Sequence, residues 1–141
     1  MPISTEVFFT ARIGIFMHVL VVDDDGRLRQ VLARLLRNCG FDQVDEAADG
    51  EEALTAMNQL HPDLIITDFQ MPRMDGIAFV RQLRAGGNAT PVIMLSGHDD
   101  PHTTVIAVKA GVSNYLPKPI NPEVLIEKIS QTLGLSNLQF S

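Results

Sequence analysis

Five strand-like stretches recur along the chain, three of them unbroken apolar runs, each followed by a stretch with helical character. Val19-Leu20-Val21-Val22, Leu64-Ile65-Ile66 and Val92-Ile93-Met94-Leu95 show no alternation of apolar and polar residues. A strand of that kind is buried on both faces, which means parallel pairing under helices on both sides. The intervening stretches supply those helices. Leu28, Val31, Leu32, Leu35 and Leu36 form one apolar stripe; Leu54, Met57 and Leu60 a second; Ile77, Val80 and Leu83 a third; Leu125, Ile126, Ile129 and Leu133 the last. A further helix is expected from about Pro101 to Ala110, ended by Gly111. Weaker strands are expected at Gln43–Ala47 and Asn114–Leu116. Asp25 and Pro122 suit helix starts, and Gly40 suits a helix end.

Several of these runs end on a polar group. Asp23, Asp24 and Asp25 follow the first, Asp68 the third, Ser96 the fourth, and Lys118 the fifth. In an open parallel sheet such ends share one edge, where ligands bind. Asp23, Asp24 and Asp68 converge there if strands one and three are neighbours. Two carboxylates about 4 Å apart repel by roughly 4 kcal/mol at an effective dielectric near 20, and a third worsens this unless a cation intervenes. An all-oxygen donor set favours a hard ion such as magnesium. Taken alone, Asp23 and Asp25 read more readily as turn and capping residues. Asp68 and Lys118 beside them favour a site for a cation and a phosphoryl group.

Composition narrows the setting. The chain has 141 residues, 45% of them hydrophobic and 20% charged, as expected for one domain with a real core. A net charge of −6 argues against direct contact with nucleic acid. The single cysteine, Cys39, excludes an internal disulfide and suits the cytoplasm, with a packing role the simplest expectation. No histidine pair has metal-ligand spacing. The apolar residues before Val22 are broken by Arg12 and His18, too soon for a membrane span, and lack a clear secretory pattern. Residues 1–17 are expected to be an extension, 18–135 the domain, and 136–141 a tail, with no room for a second domain.

Over residues 18–135 the sequence resembles a bacterial response-regulator receiver domain, the phosphoacceptor of two-component signalling. The resemblance rests on Val21-Val22-Asp23-Asp24-Asp25, the stretch from Asp68 through Met71-Pro72 to Asp75-Gly76, Ser96-Gly97, Ala110-Gly111, and Tyr115-Leu116-Pro117-Lys118-Pro119, in that order. It implies a flavodoxin-like (βα)5 fold with strand order 2-1-3-4-5. Asp68 then matches the residue phosphorylated from a phosphohistidine. Asp23 and Asp24 match the pair that holds Mg2+, together with the Asp68 carboxylate and the backbone carbonyl of Gln70. Lys118 matches the lysine that pairs with Asp68 and then with the phosphoryl group, Ser96 the switching hydroxyl, and Tyr115 the aromatic that follows it. Gln70 and His98 border the path of hydrolytic water and are expected to tune phosphate lifetime. A cis bond is expected between Lys118 and Pro119, where the lysine turns back toward Asp68.

The expected function is a phosphorylation-dependent signalling switch, regulatory rather than enzymatic. Its partners would be a histidine kinase or histidine phosphotransfer protein and a downstream target. A homodimer through the face of the fourth helix, fifth strand and fifth helix is a further expectation. Thr104, Val108 and Val124 offer apolar surface there; neither nucleic acid nor membrane is expected as a partner. The main alternative is a metal-dependent phosphohydrolase working through an aspartyl phosphate. Such an enzyme usually carries a second acid two residues after the nucleophile, where this chain has Gln70. A flavodoxin-like nucleotide binder would need a glycine-rich loop after the first strand, and that place holds Asp23-Asp24-Asp25-Gly26.

Overall fold

Five parallel strands pair in the order β2-β1-β3-β4-β5: β1 His18–Val22, β2 Gln43–Ala47, β3 Leu64–Asp68, β4 Val92–Ser96 and β5 Asn114–Pro117. The helices between and after them are α1 Gly26–Asn38, α2 Gly50–Met57, α3 Gly76–Ala85, α4 Pro101–Ala110 and α5 Pro122–Leu133. The structure, a computed structural model, describes residues 17–97 and 101–135.

The unbroken apolar runs divide their side chains between two cores, one on each face of the sheet. Val19 and Val21 face Leu32 and Leu36 of α1 and Leu125, Ile126 and Ile129 of α5. Leu20 and Val22 face Ala53 of α2, Phe79 and Val80 of α3, and Ala107 of α4. Burial of this kind stabilises by roughly 1.5–3 kcal/mol for each large apolar side chain. Every residue of β3 and β4 is buried, as two covered faces require.

Capping residues set where the helices start. Asp25 accepts the amides of Arg27 and Leu28, Asp49 that of Glu52, Asp75 that of Ala78, and Asn121 those of Glu123 and Val124. Two expectations need correction. Val31 is 62% exposed, whereas Ala33 is buried. The buried arc of α1 centres on Leu32 and Leu36, and Val31 lies beyond its edge at 100° per residue. Helix α2 ends at Met57, with Leu60 in the turn beyond it, where its amide reaches the Ala56 carbonyl at 2.8 Å. Cys39 is buried in the first core, and burial pushes its thiol up to about 12, so it packs as an inert apolar group. Among the described residues, no helix is long and apolar enough to cross a membrane.

Candidate functional site

Sheet register brings the site together. Val22 is paired with Thr67, so Asp23 and Asp68 leave adjacent strands side by side. Asp68 is paired with Leu95 and Ser96 with Pro117, which places Ser96 and Lys118 in the next rows of the same edge. The Lys118 amide bonds the Ser96 carbonyl at 2.7 Å and carries the strand pairing one residue further. The Lys118–Pro119 bond is cis. Lys118 Nζ lies 3.0 Å from Asp68 Oδ1 and 3.6 Å from Asp23 Oδ2. Asp68 Oδ1 also accepts the Phe69 amide at 2.9 Å. Behind it, a Cβ on Gly76 would fall 2.2 Å from the Asp68 carbonyl oxygen, so only glycine lets α3 start this close to the acid.

Carboxylate oxygens of Asp23, Asp24 and Asp68 lie within 4.8 Å of one another. Asp23 and Asp68 are buried, while Asp24 is open to solvent. Asp23 Oδ1 accepts the Asp25 amide at 2.9 Å, but its buried Oδ2 has no hydrogen-bond partner. Lys118, at 3.6 Å, is too far to be one. A buried anionic oxygen left without a partner is costly, and a hard divalent cation at this edge would meet it and two further carboxylates. The donor set therefore fits magnesium.

The electrostatics carry the same tension. Burial raises the Asp23 carboxyl, helped by the charges of Asp68 and Asp24 and resisted by the Asp25 amide and Lys118. Burial also raises Asp68, against the bond and charge of Lys118. Lys118 is pulled down by burial, but its bond to Asp68 and the charges of Asp23 and Asp68 outweigh this and raise it. A carboxyl raised on folding binds more protons in the folded state, so stability falls as pH rises from the ordinary carboxylate range through the raised value. In metal-free buffer near pH 7, Asp23→Asn is expected to stabilise the fold by about 1–2 kcal/mol, a rise of roughly 3–8 °C in Tm. The gain should shrink as pH is lowered and the wild-type acid takes up its proton. Thermal unfolding in EDTA across this range checks it, and a lowered Tm at neutral pH would contradict it.

The model of the response regulator receiver domain matches residues 19–130. The chain belongs to the response-regulator receiver family.

Relatives and solved structures agree with that assignment. The DNA-binding response regulator MtrA of Mycobacterium tuberculosis is 38% identical over 115 residues, covering 82% of this chain and 50% of MtrA. The response regulator MprA of Mycobacterium avium is 39% identical over 117 residues, covering 83% of this chain and 51% of MprA. The chain thus spans about half the length of these curated relatives. The Francisella response regulator 1452 receiver domain superposes with a TM-score of 0.79 at 34% identity, over 84% of this chain and 97% of that one. The chemotaxis response regulator CheY4 of Vibrio cholerae gives 0.78 at 35%, over 83% and 98%. The phosphohydrolase alternative is not favoured.

In this receiver domain Tyr115 is half-buried on β5 and packs against the second core, while Ser96 is fully buried at the end of β4. Gln70 is exposed in the loop after β3, and His98 lies outside the described residues. On the expected output face, Val105 and Val108 are 49% and 62% exposed, whereas Val124 is half-buried against the first core. Sequence reasoning missed Asp49 and Arg73. Asp49 is 1% exposed and pairs with Arg73 from the loop after Asp68. The faint signal was Asp49 before Gly50 at a helix start, which reads as a cap and no more. The MtrA relatives are named DNA-binding, so the comparisons lend no support to the expected absence of nucleic-acid contact.

Proposed function

We propose that Asp68 accepts a phosphoryl group from a phosphohistidine on a histidine kinase or phosphotransfer protein, and that this acyl phosphate is the signal. One observation carries the reading: the Asp68 carboxylate, 3.0 Å from Lys118 Nζ, stands beside Asp23, whose buried Oδ2 lacks a hydrogen-bond partner. A carboxylate oxygen of Asp68 bonds to phosphorus as the nitrogen–phosphorus bond of the donor breaks. Such transfer depends on positioning and charge neutralisation. Asp23, Asp24, Asp68 and the backbone carbonyl of Gln70 would hold Mg2+, which when bound supplies positive charge to the phosphoryl oxygens. Lys118 exchanges part of its pairing with Asp68 for those oxygens. Ser96 donates its hydroxyl to the phosphoryl group, and Tyr115 follows it inward.

The protein so read catalyses only its own phosphorylation and its return by hydrolysis, which Gln70 and His98 tune. Residues 18–135 form the acting domain, between an extension and a tail, in the cytoplasm. The output face is α4, β5 and α5, where exposed Val105 and Val108 favour a target protein or a second copy. Phosphate biases that face only by the free energy with which it prefers the active form. For this segment, at a net charge of −6, protein partners are favoured over nucleic acid.

The experiment is uptake of label from acetyl phosphate with and without magnesium. Uptake is expected only with the metal, and no uptake in its presence overturns the reading. Asp24→Asn is expected to bind magnesium about tenfold more weakly, about 1.4 kcal/mol, and to slow uptake in parallel. Unchanged affinity, measured by calorimetry, would leave Asp24 without a metal role.

A further inference from the structure

The loop from Phe69 to Asp75 leaves β3 directly after the acidic residue and carries Gln70 on its way to α3. Its base is fastened to the sheet: the Phe69 amide bonds the Leu95 carbonyl and the Gly76 amide the Phe69 carbonyl, each at 2.8 Å. Its apex is fastened elsewhere, to the start of α2. The Gly50 amide donates to the Met74 carbonyl at 3.2 Å, and a Cβ on Gly50 would fall 2.7 Å from the Met74 side chain, so the two segments meet without space between them. Beside this junction the Arg73 guanidinium binds the Asp49 carboxylate, and its Nε lies 3.3 Å from Glu51 Oε2. Asp49 Oδ1 accepts the Glu52 amide at 2.9 Å, so one buried carboxylate both starts α2 and receives the arginine.

Arg73 has a φ of 67°, the only positive φ among described residues other than glycine. Glycine and asparagine are at ease there, and a long side chain is not. Arg73 thus keeps a backbone conformation its own side chain does not favour, at the point where that side chain is paired with Asp49 and Glu51. Because Gln70 is three residues away in the same loop, whatever fixes Arg73 also limits where the Gln70 carbonyl can lie.

We propose that Arg73 is a positioning residue of the acidic site: bound to Asp49 and Glu51, it holds the loop in the course that brings the Gln70 carbonyl to the metal. The arginine touches neither metal nor phosphate. It acts by preorganisation, sparing the metal the cost of ordering the loop. This rests on the reading of Asp23, Asp24 and Asp68 as magnesium ligands.

Magnesium titration calorimetry on the full chain tests it, with unfolding in EDTA as the structural control. Arg73→Gly is expected to bind magnesium roughly three- to tenfold more weakly. Its midpoint should move little, because glycine relieves the backbone while the ion pair is lost. Arg73→Asn, also suited to a positive φ, serves as the second variant, and Arg73→Lys should recover much of the affinity. Asp49→Asn keeps a capping oxygen but drops the charge, and in that background Arg73→Gly should add less than a twofold loss. Wild-type affinity in both Arg73→Gly and Arg73→Asn overturns the proposal, as does a full Arg73→Gly loss persisting without the Asp49 charge. If the wild type binds no magnesium, the metal reading falls and takes this proposal with it. If the wild type binds and the variants match it, the proposal falls alone.

Discussion

Asp68→Asn protein incubated with acetyl phosphate and magnesium is expected to carry no acyl phosphate, while the wild type carries one that borohydride reduction traps at position 68. The amide removes the nucleophilic oxygen and the charge that Lys118 meets at 3.0 Å. The surrounding fold should remain, because asparagine keeps the shape and an oxygen for the Phe69 amide. A loss of at least about a hundredfold in uptake rate is expected, roughly 2.7 kcal/mol in barrier. Asp23 and Asp24 are near enough to be rival acceptors. Asp23 is buried with one oxygen tied to the Asp25 amide, and Asp24 is not among the residues paired with Lys118. Label surviving in Asp68→Asn, or mapping to either neighbour in the wild type, would show that the acceptor is misassigned.

The second large effect concerns the opposite end of the sheet. Arg84, near the end of α3, donates to four acceptor contacts on three backbone carbonyls: Gly111 at 3.1 and 2.8 Å, Asn88 at 3.0 Å and Thr90 at 2.8 Å. One planar guanidinium thus joins α3, the segment entering β4 and the turn that ends α4. Burial disfavours its charge, and these carbonyl bonds stand in for the water it gives up. Removing it leaves three carbonyls to find other donors and opens a gap beside Gly111, whose Cβ, if present, would meet the Arg84 side chain at 2.8 Å. Arg84→Ala is expected to cost about 2–4 kcal/mol, a fall of roughly 6–15 °C in Tm. Arg84→Lys should recover little, since one ammonium cannot reproduce the fork. Denaturant unfolding checks this, and a cost below about 1 kcal/mol would reduce Arg84 to a surface residue. Magnesium affinity should be unchanged, because Arg84 is held at the far ends of the strands.

Much of this architecture is local information. Runs such as Leu64-Ile65-Ile66 cannot alternate between core and solvent, so they call for cover on both faces whatever else the chain does. The polar residues closing those runs mark one edge, because parallel strands all end on the same side. Asp23, Asp68, Ser96 and Lys118 were legible for that reason. Hydrophobic periodicity was less decisive where the arc of a helix drifts: Val31 satisfies the spacing of α1 and still faces solvent.

Tertiary structure decided the rest. The pairing of Val22 with Thr67 determines that Asp23 and Asp68 meet, and strand pairing is a long-range choice that no local pattern contains. The unsatisfied Oδ2 of Asp23 exists only because neighbouring elements exclude water and offer no donor within bonding distance. Arg84 and Arg73 carried no sequence signal, since an arginine near a helix end and one in a loop are ordinary surface choices. What sets them apart is what the fold places within reach, a turn 27 residues on for one and a buried carboxylate 24 residues back for the other. Sequence by itself determined which groups gather at the sheet edge. Only the folded chain determined their distances, their burial and the contacts that hold them, because those depend on residues far apart in sequence sharing one small, water-poor volume.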